Sequence, residues 1–447
     1  MDMQRAGLPE RFCKQLLGTG VVLLLAVSTP AVASQSSPRK EGEFYGTDPQ
    51  LREYVGQALQ RNPSLQEALA RYRAALQKVP QVTSLPDPML RFTQFARSLE
   101  TRVGPQLNSY QVSQKLPWFG KLDLRGKVAF KEAAALQQSY RAREREIIAE
   151  VKRAFYELFY TDRALQISRE EQSLLEHYED LSQIRYATGQ GLQQAVIKIQ
   201  AEITQVINRL KILNQQRISV SAQLNTLMDR PPEAPLGAIQ PQPLPQVSLN
   251  LKELYGIGER HRQELKAAMA RVEKSEQSVE LAKKNFWPDL TLSAGLVNVG
   301  ARSDLAALLM PPLDDGKNAY NFSVGINIPI RRKKYRAGVA EATETLIAGR
   351  REYLNVRNEM EFSIRDQVIR LETLREQIDL FDQALIPQAE ETLRSTESAY
   401  QTGELGALDL LDSERVLLQV RLVRARYRSD YLRALADLER ALGTRFP

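Results

Sequence analysis

The apolar positions of this chain change period along its length, and those changes divide it into elements. Leu51, Val55, Leu59, Leu65, Leu69, Tyr72 and Leu76 recur at helical spacing to about Lys78, broken at Asn62-Pro63, where proline removes a backbone donor. After Leu85-Pro86-Asp87-Pro88 the period drops to two. Leu90, Phe92 and Gln94 alternate with Arg91, Thr93 and Phe95; beyond a loop, Tyr110, Val112, Gln114 and Leu116 alternate with Gln111, Ser113 and Lys115 until Pro117. These stretches predict strands over about 89–97 and 109–116. After Pro117-Trp118-Phe119-Gly120-Lys121 a helical stripe with Ile147, Val151, Ala154, Leu158 and Leu165 continues to Tyr186. At ~1.5 Å per residue this rod approaches ~100 Å, more than a compact domain needs. Val196, Ile199, Ile203, Val206, Leu210, Leu213, Val220, Leu224 and Leu227 then form a return helix with the seam of a left-handed coiled coil.

Residues 229–249 carry Pro231, Pro232, Pro235, Pro241, Pro243 and Pro245, which reads as a semi-rigid linker. Beyond it the pattern starts again. Leu251 to Asn285 is helical, Trp287-Pro288-Asp289 mirrors Leu85-Pro86-Asp87, and alternation predicts strands over about 289–298 and 320–328. A longer loop from Gly300 to Ala319 separates them. Pro329-Ile330-Arg331-Arg332-Lys333 copies the position of Pro117-Trp118-Phe119-Gly120-Lys121. A helix with Met360, Ile364, Val368, Leu371, Leu374, Ile378, Phe381 and Leu385 follows, and Pro387 is expected to kink it. The last helix runs from Asp409 towards Leu442 and ends at Gly443.

Both long helices end in related stretches, Tyr186-Ala187-Thr188-Gly189-Gln190-Gly191-Leu192 and Tyr400-Gln401-Thr402-Gly403-Glu404-Leu405-Gly406. Each reads as the turn of an antiparallel helical hairpin, about 187–192 and about 401–407, with glycine supplying the left-handed C-cap residue. The chain thus divides into a first repeat over 34–228, the linker, and a second repeat over 250–447.

Composition narrows the class. Basic flank, apolar core from Leu16 to Val27 and Ala31-Val32-Ala33 make residues 1–33 a secretory signal. The only cysteine, Cys13, lies within it, so the exported chain offers no thiol chemistry. No mature run of 18 apolar residues occurs, which argues against helical membrane spans but leaves a β-barrel open. Basic and acidic residues interleave along helices (Arg141 to Glu150, Arg350 to Glu361), so the net charge of +7 reads as solvated helix faces and not as a nucleic-acid surface. His177 and His261 stand alone on helices. Without a nucleophile beside its base, a phosphate loop or a metal-spaced cluster, the chain is expected to be no enzyme and to hold no cofactor or metal.

Four strands with one apolar and one small or polar face suit tilted transmembrane strands, yet four cannot close a barrel. Three chains would supply twelve. Here the sequence resembles a known family, the TolC-like outer membrane efflux proteins, over about Leu51 to Gly443. The resemblance is carried by Tyr400-x-x-Gly403 followed by Leu408-Asp409-Leu410-Leu411-Asp412, by Ser113-x-x-Leu116-Pro117-x-Phe119-Gly120-Lys121, and by the duplicated order of elements. It implies an α+β, mostly α fold: a trimeric, twelve-stranded outer-membrane barrel continued by a periplasmic α-helical barrel, with the Pro-rich segment in a belt around it. It also implies a passive duct served by a periplasmic adaptor protein and an inner-membrane transporter of the RND type. Pro86-Asp87-Pro88 and Leu116 to Lys121 look most like the heavy-metal, cobalt-zinc-cadmium branch.

Two readings of Asp409 and Asp412 stand on the sequence alone. Asp409 caps its helix and Asp412 is solvated, or the i, i+3 pair gathers into a ring of six carboxylates at a threefold constriction that attracts cations. The resemblance favours the ring as the periplasmic gate; the first hairpin has Ala195 and Lys198 at the matching positions. The resemblance further implies that the tips, through Gly189, Gly191, Gly403, Glu404 and Gly406, meet the adaptor. Pro117 and Pro329 read as strand-to-helix junctions. Trp118, Phe119 and Trp287 suit either an interfacial aromatic belt or packing at that junction. Two alternatives remain: the exit of a type I protein-secretion system, and an exported coiled-coil scaffold that would bury Phe322, Val324, Ile326 and Ile328 against protein.

Overall fold

The structure, a computed structural model, describes residues 48–446 except 238, 240–243, 246 and 249. The expected signal segment, with Cys13, and part of the Pro-rich linker lie outside the described residues. Helix α1 (Pro49–Arg61) meets α2 (Pro63–Thr83) at Asn62. Asn62 Oδ1 accepts from the amides of Ser64 and Leu65, and its Nδ2 donates to the Leu227 carbonyl at 2.9 Å. One side chain therefore caps a helix start and ties it to the end of the return helix.

Strands β1 (Met89–Thr101) and β2 (Gly104–Leu116) follow, then α3 (Lys121–Ala187) and α4 (Gln193–Leu227). Helix α3 has 67 residues and so runs ~100 Å. The second half repeats the order: α5 (Leu251–His261), α6 (Gln263–Lys284), β3 (Leu290–Val299), a five-residue α7 (Leu305–Leu309), β4 (Ala319–Ile326), α8 (Arg332–Leu380), α9 (Ile386–Thr402) and α10 (Ala407–Leu442). A π turn over Phe381–Leu385 joins α8 to α9. Pro387 cannot donate to Gln383, and its ring crowds that carbonyl; the wider turn one step earlier absorbs the misfit without ending the rod.

The apolar seams are where the helices pack. Val196, Ile199, Val206, Leu213 and Leu224 of α4 are buried, as are Met360, Ile364, Val368, Leu371, Leu374 and Ile378 of α8. In the first half Leu51, Val55, Ile147, Val151, Phe155 and Leu158 share one core with Leu224 and Met228. The α8 stripe packs with Leu254, Leu265, Tyr431 and Leu438 in a second.

The first strands exceed their expected bounds. Residues 98–108, expected as a loop, belong mostly to the ladder, and only Arg102-Val103 turns between β1 and β2. Irregularities between Gln94 and Leu99, and between Gln106 and Asn108, interrupt the period-two pattern while pairing continues. Strand β4, expected to about 328, ends at Ile326, where the Asn327 side chain instead accepts the Asp289 amide.

Candidate functional site

All four strands form one antiparallel sheet in the order β1-β2-β3-β4, leaving β1 and β4 as its edges. Its register sorts the side chains. Leu90, Val112, Ala294 and Phe322 stand opposite one another, as do Phe92, Tyr110, Leu296 and Tyr320, so both rows lie on one face. Gln114, Leu292 and Val324, then Leu116, Leu290 and Ile326, continue that face. The other face carries Arg91, Gln111, Gly295 and Asn321 in one row and Met89, Ser113, Ser293 and Ser323 in the next. Gly295 is small for a reason on that face: a Cβ there would stand 2.5 Å from Asn321 Oδ1.

Large apolar side chains on the first face are exposed, Phe322 at 87% and Val324 at 71%. Burying such a band in water-free surroundings is favourable by roughly 25 cal/mol per Å2, which a sheet facing solvent forfeits. No helix among the described residues is long and apolar enough to cross a membrane. The feature suited to lipid is the sheet.

The sheet joins the helices through a buried ion pair that the pattern of residues did not single out. Lys121 Nζ, at the first turn of α3, donates to Asp289 Oδ1 at 2.7 Å and to the Trp287 carbonyl at 2.8 Å. Asp289 Oδ1 also accepts the Trp118 amide at 3.1 Å, and Lys115 Nζ lies 3.3 Å from Oδ2. Trp118 stacks on Trp287 with centroids 5.3 Å apart. Phe119 points outward, 80% exposed. Pro117 directly follows β2, and Pro329 lies between β4 and α8, each where the ladder stops. Both partners of the ion pair lie in the junction motifs, Lys121 where β2 gives way to α3 and Asp289 where α6 gives way to β3; a base and an acid in the two kinds of corner was the available signal.

At the far end the two hairpins meet. Leu175, Tyr178, Ile199 and Val206 of α3 and α4 share one core with Leu393, Tyr400, Ala407, Leu410 and Leu417 of α9 and α10. Ser182 Oγ and Tyr400 Oη are 2.9 Å apart, and the Arg185 guanidinium covers the Tyr400 ring at 4.2 Å while donating to the Gln401 carbonyl at 3.0 Å. Tyr178 donates to Glu397.

Gly189 (φ +75°) and Gly403 (φ +86°) hold the left-handed turn positions, whereas Gly191 and Gly406 do not. Gly406 is the N-cap of α10, and its amide donates to Asp409 Oδ2 at 3.1 Å. Asp409 thus closes its own helix start, as the capping reading required. Asp412 lies within 3.4 Å of Arg415, which also reaches Glu202. Both aspartates are exposed on the tip, and Glu404 is exposed beside them. At the corresponding place in the first hairpin Ala195 packs against the shared core and Lys198 is exposed. Among the described residues no group of three or more His, Cys, Asp or Glu side chains is arranged to hold a metal ion.

A four-stranded sheet with an exposed apolar face and open edges, set on helical hairpins whose longer arms run ~100 Å, defines a subunit of a membrane channel with a long helical extension. The family model for outer membrane efflux proteins matches residues 54–229 and 256–444, and the chain belongs to that family. It is 22% identical to the outer membrane protein TolC of Vibrio cholerae over 446 residues, 96% of either chain. In fold it is similar to a membrane protein from Pseudomonas aeruginosa (TM-score 0.77, 20% identity, 91% of this chain and 92% of that one). It is likewise similar to the outer membrane protein VceC of Vibrio cholerae (TM-score 0.73, 22% identity, 89% and 97%). The protein is an outer-membrane efflux channel component whose helices extend into the periplasm; the family are channels, not enzymes.

Proposed function

We propose that three copies of this chain, exported by the segment 1–33 and each built from two repeats about the linker 229–249, form a passive exit duct. β4 of one copy would pair with β1 of the next, closing twelve strands around an aqueous lumen and leaving no edge in lipid. The observation that carries this reading is the sheet register, which separates an exposed apolar face from a small and polar one while, among the described residues, both edges stay unpaired.

The hairpins would continue the duct as a tube in the periplasm. Asp409 and Asp412, both exposed on the tip of α10, would ring its aperture as six carboxylates and favour cations. The capping bond to Gly406 occupies Asp409 Oδ2 and fixes the carboxylate at the helix start, which is compatible with a ring. Gly189, Gly191, Gly403, Glu404 and Gly406 would meet a periplasmic adaptor, which couples the duct to an inner-membrane transporter of the RND type. The cargo is metal ions or small toxic compounds, and the junction motif from Leu116 to Lys121 inclines the reading to metal efflux.

Single-channel recording of the purified protein in planar bilayers tests this. Discrete openings are expected, blocked by divalent cations, with block at least about tenfold weaker in Asp409→Ala/Asp412→Ala. A protein that stays soluble without detergent and never conducts would overturn the channel; openings with unchanged block would overturn the acidic aperture.

A further inference from the structure

The hairpin bundle buries two carboxylates that the aperture does not use. Glu171 of α3 is 7% exposed and Glu414 of α10 is 6% exposed. Glu171 accepts from Arg209 of α4 at 2.7 Å, but Glu414 Oε2 is buried without a hydrogen-bond partner among the described residues. The charged neighbours leave Glu414 short of a cation. From α4, Arg209 is held by Glu171 and Glu202 is held by Arg415; on α10, Arg421 pairs with Glu390 of α9 at 2.9 Å. From α9, Glu397 accepts from Tyr178 of α3 and adds negative charge near Glu414. A buried carboxyl oxygen with no donor facing it is best accommodated as the neutral acid.

We infer that Glu171 and Glu414 form a proton-binding site that ties α10, the helix carrying Asp409 and Asp412, to α3 and α4, so that the tip packs tightly in acid and loosens when the proton leaves. Burial pushes the Glu171 carboxyl up from the ordinary 4.5 to about 7; Arg209 opposes this, and Glu414 and Glu202 add to it. Burial also pushes Glu414 up, with Arg421 opposing and Glu397 adding. The packed tip holds a proton that a loosened tip would release. Its stabilisation is therefore full below about 4.5 and is lost as pH rises towards about 7. Glu414 lies two positions beyond Asp412, so loosening this contact would act directly on the segment proposed to line the aperture.

The site itself stands apart from the channel reading; only its effect on conduction rests on that reading. Amide hydrogen exchange on the full-length purified protein tests the site without any conductance. Protection of residues 407–418, corrected for intrinsic rates, is expected to fall at least about tenfold between about pH 5 and about pH 8. In Glu171→Gln/Glu414→Gln, which mimics the protonated pair at nearly constant shape, protection should be high and flat; Glu414→Gln alone serves if the double variant melts early. Flat wild-type protection, or an undiminished fall in the variants, overturns the proton site. In bilayers, open time should rise over the same window in wild type alone. A protection switch in a protein that never conducts would support the site and overturn the channel.

Discussion

Lys121 and Lys333 occupy matching places in the two halves, one turn or so past a strand-ending proline, yet they do opposite things. Lys121 is 4% exposed and holds Asp289, Trp287 and, through Asp289, the Trp118 amide; Lys333 is exposed. The same asymmetry recurs where a short helix meets a longer one. Asn62 satisfies its neighbours, whereas Arg262 between α5 and α6 is buried with Nε and Nη1 lacking hydrogen-bond partners among the described residues. It recurs again at the tips, where Ala195 and Lys198 stand in the places of Asp409 and Asp412. The halves share their apolar spacing and their turn glycines and differ in polar residues. Apolar spacing builds the element, and polar chemistry decides what each copy of it is used for.

The largest effect should come from the corner. Lys121→Met leaves Asp289 buried beside Lys115 alone and should destabilise the protein by about 3–5 kcal/mol, whereas Lys333→Met should stay within about 0.5 kcal/mol. Denaturant unfolding in detergent measures both. Equal effects would mean that Lys121 contributes no more than a surface residue and that the corner is held by the Trp118–Trp287 stack.

The second comparison differs in sign. Asn62→Ala removes two capping bonds and the bond to Leu227, for a loss of about 1–3 kcal/mol. Arg262→Met removes a buried cation whose ion-pair partner, Glu264, is 3.5 Å away and partly solvated. It should leave stability unchanged or raise it. A loss at Arg262 as large as that at Asn62 would show that its donors have a partner of consequence, and thermal melting of the two variants side by side decides.

These pairs mark how far the sequence could be read. The helices, their break at Asn62-Pro63, the two hairpins and the alternating strand cores follow from local spacing, because each is fixed by residues a few positions apart. The ends of β1 and β2 were not readable, since the irregularities near Leu99 and Asn108 shift the face on which side chains fall without ending the ladder. The π turn was anticipated only as a kink at Pro387, because a proline states that a helical bond is lost and not where the backbone absorbs it. Lys121 is joined to Asp289 only by the fold, and only the fold brings Glu414 near enough to Glu171 to raise its carboxyl. Asp409 was visible as a cap or as a gate residue, and its bond to the Gly406 amide shows the first of these within a single chain.

The smallest contrast lies within the second tip. Gly403 has φ +86°, and a Cβ there would meet nothing within 4 Å, so Gly403→Ala carries only the cost of a left-handed backbone, about 1 kcal/mol. Gly406 lies at φ −85°, an ordinary value, and a Cβ there would meet Asp409 Oδ2 no closer than 3.6 Å. Ala is a poorer N-cap than Gly, so Gly406→Ala should cost about 0.5 kcal/mol, less than Gly403→Ala. If tip glycines serve only the turn, melting temperature and transport should follow this order, with Gly403→Ala the worse. If the tips dock an adaptor, a bulky Gly406→Leu should impair efflux in cells by far more than its small loss of melting temperature at the N-cap accounts for. Efflux that tracks stability across all three variants would remove Gly406 from the docking surface and leave it a helix cap.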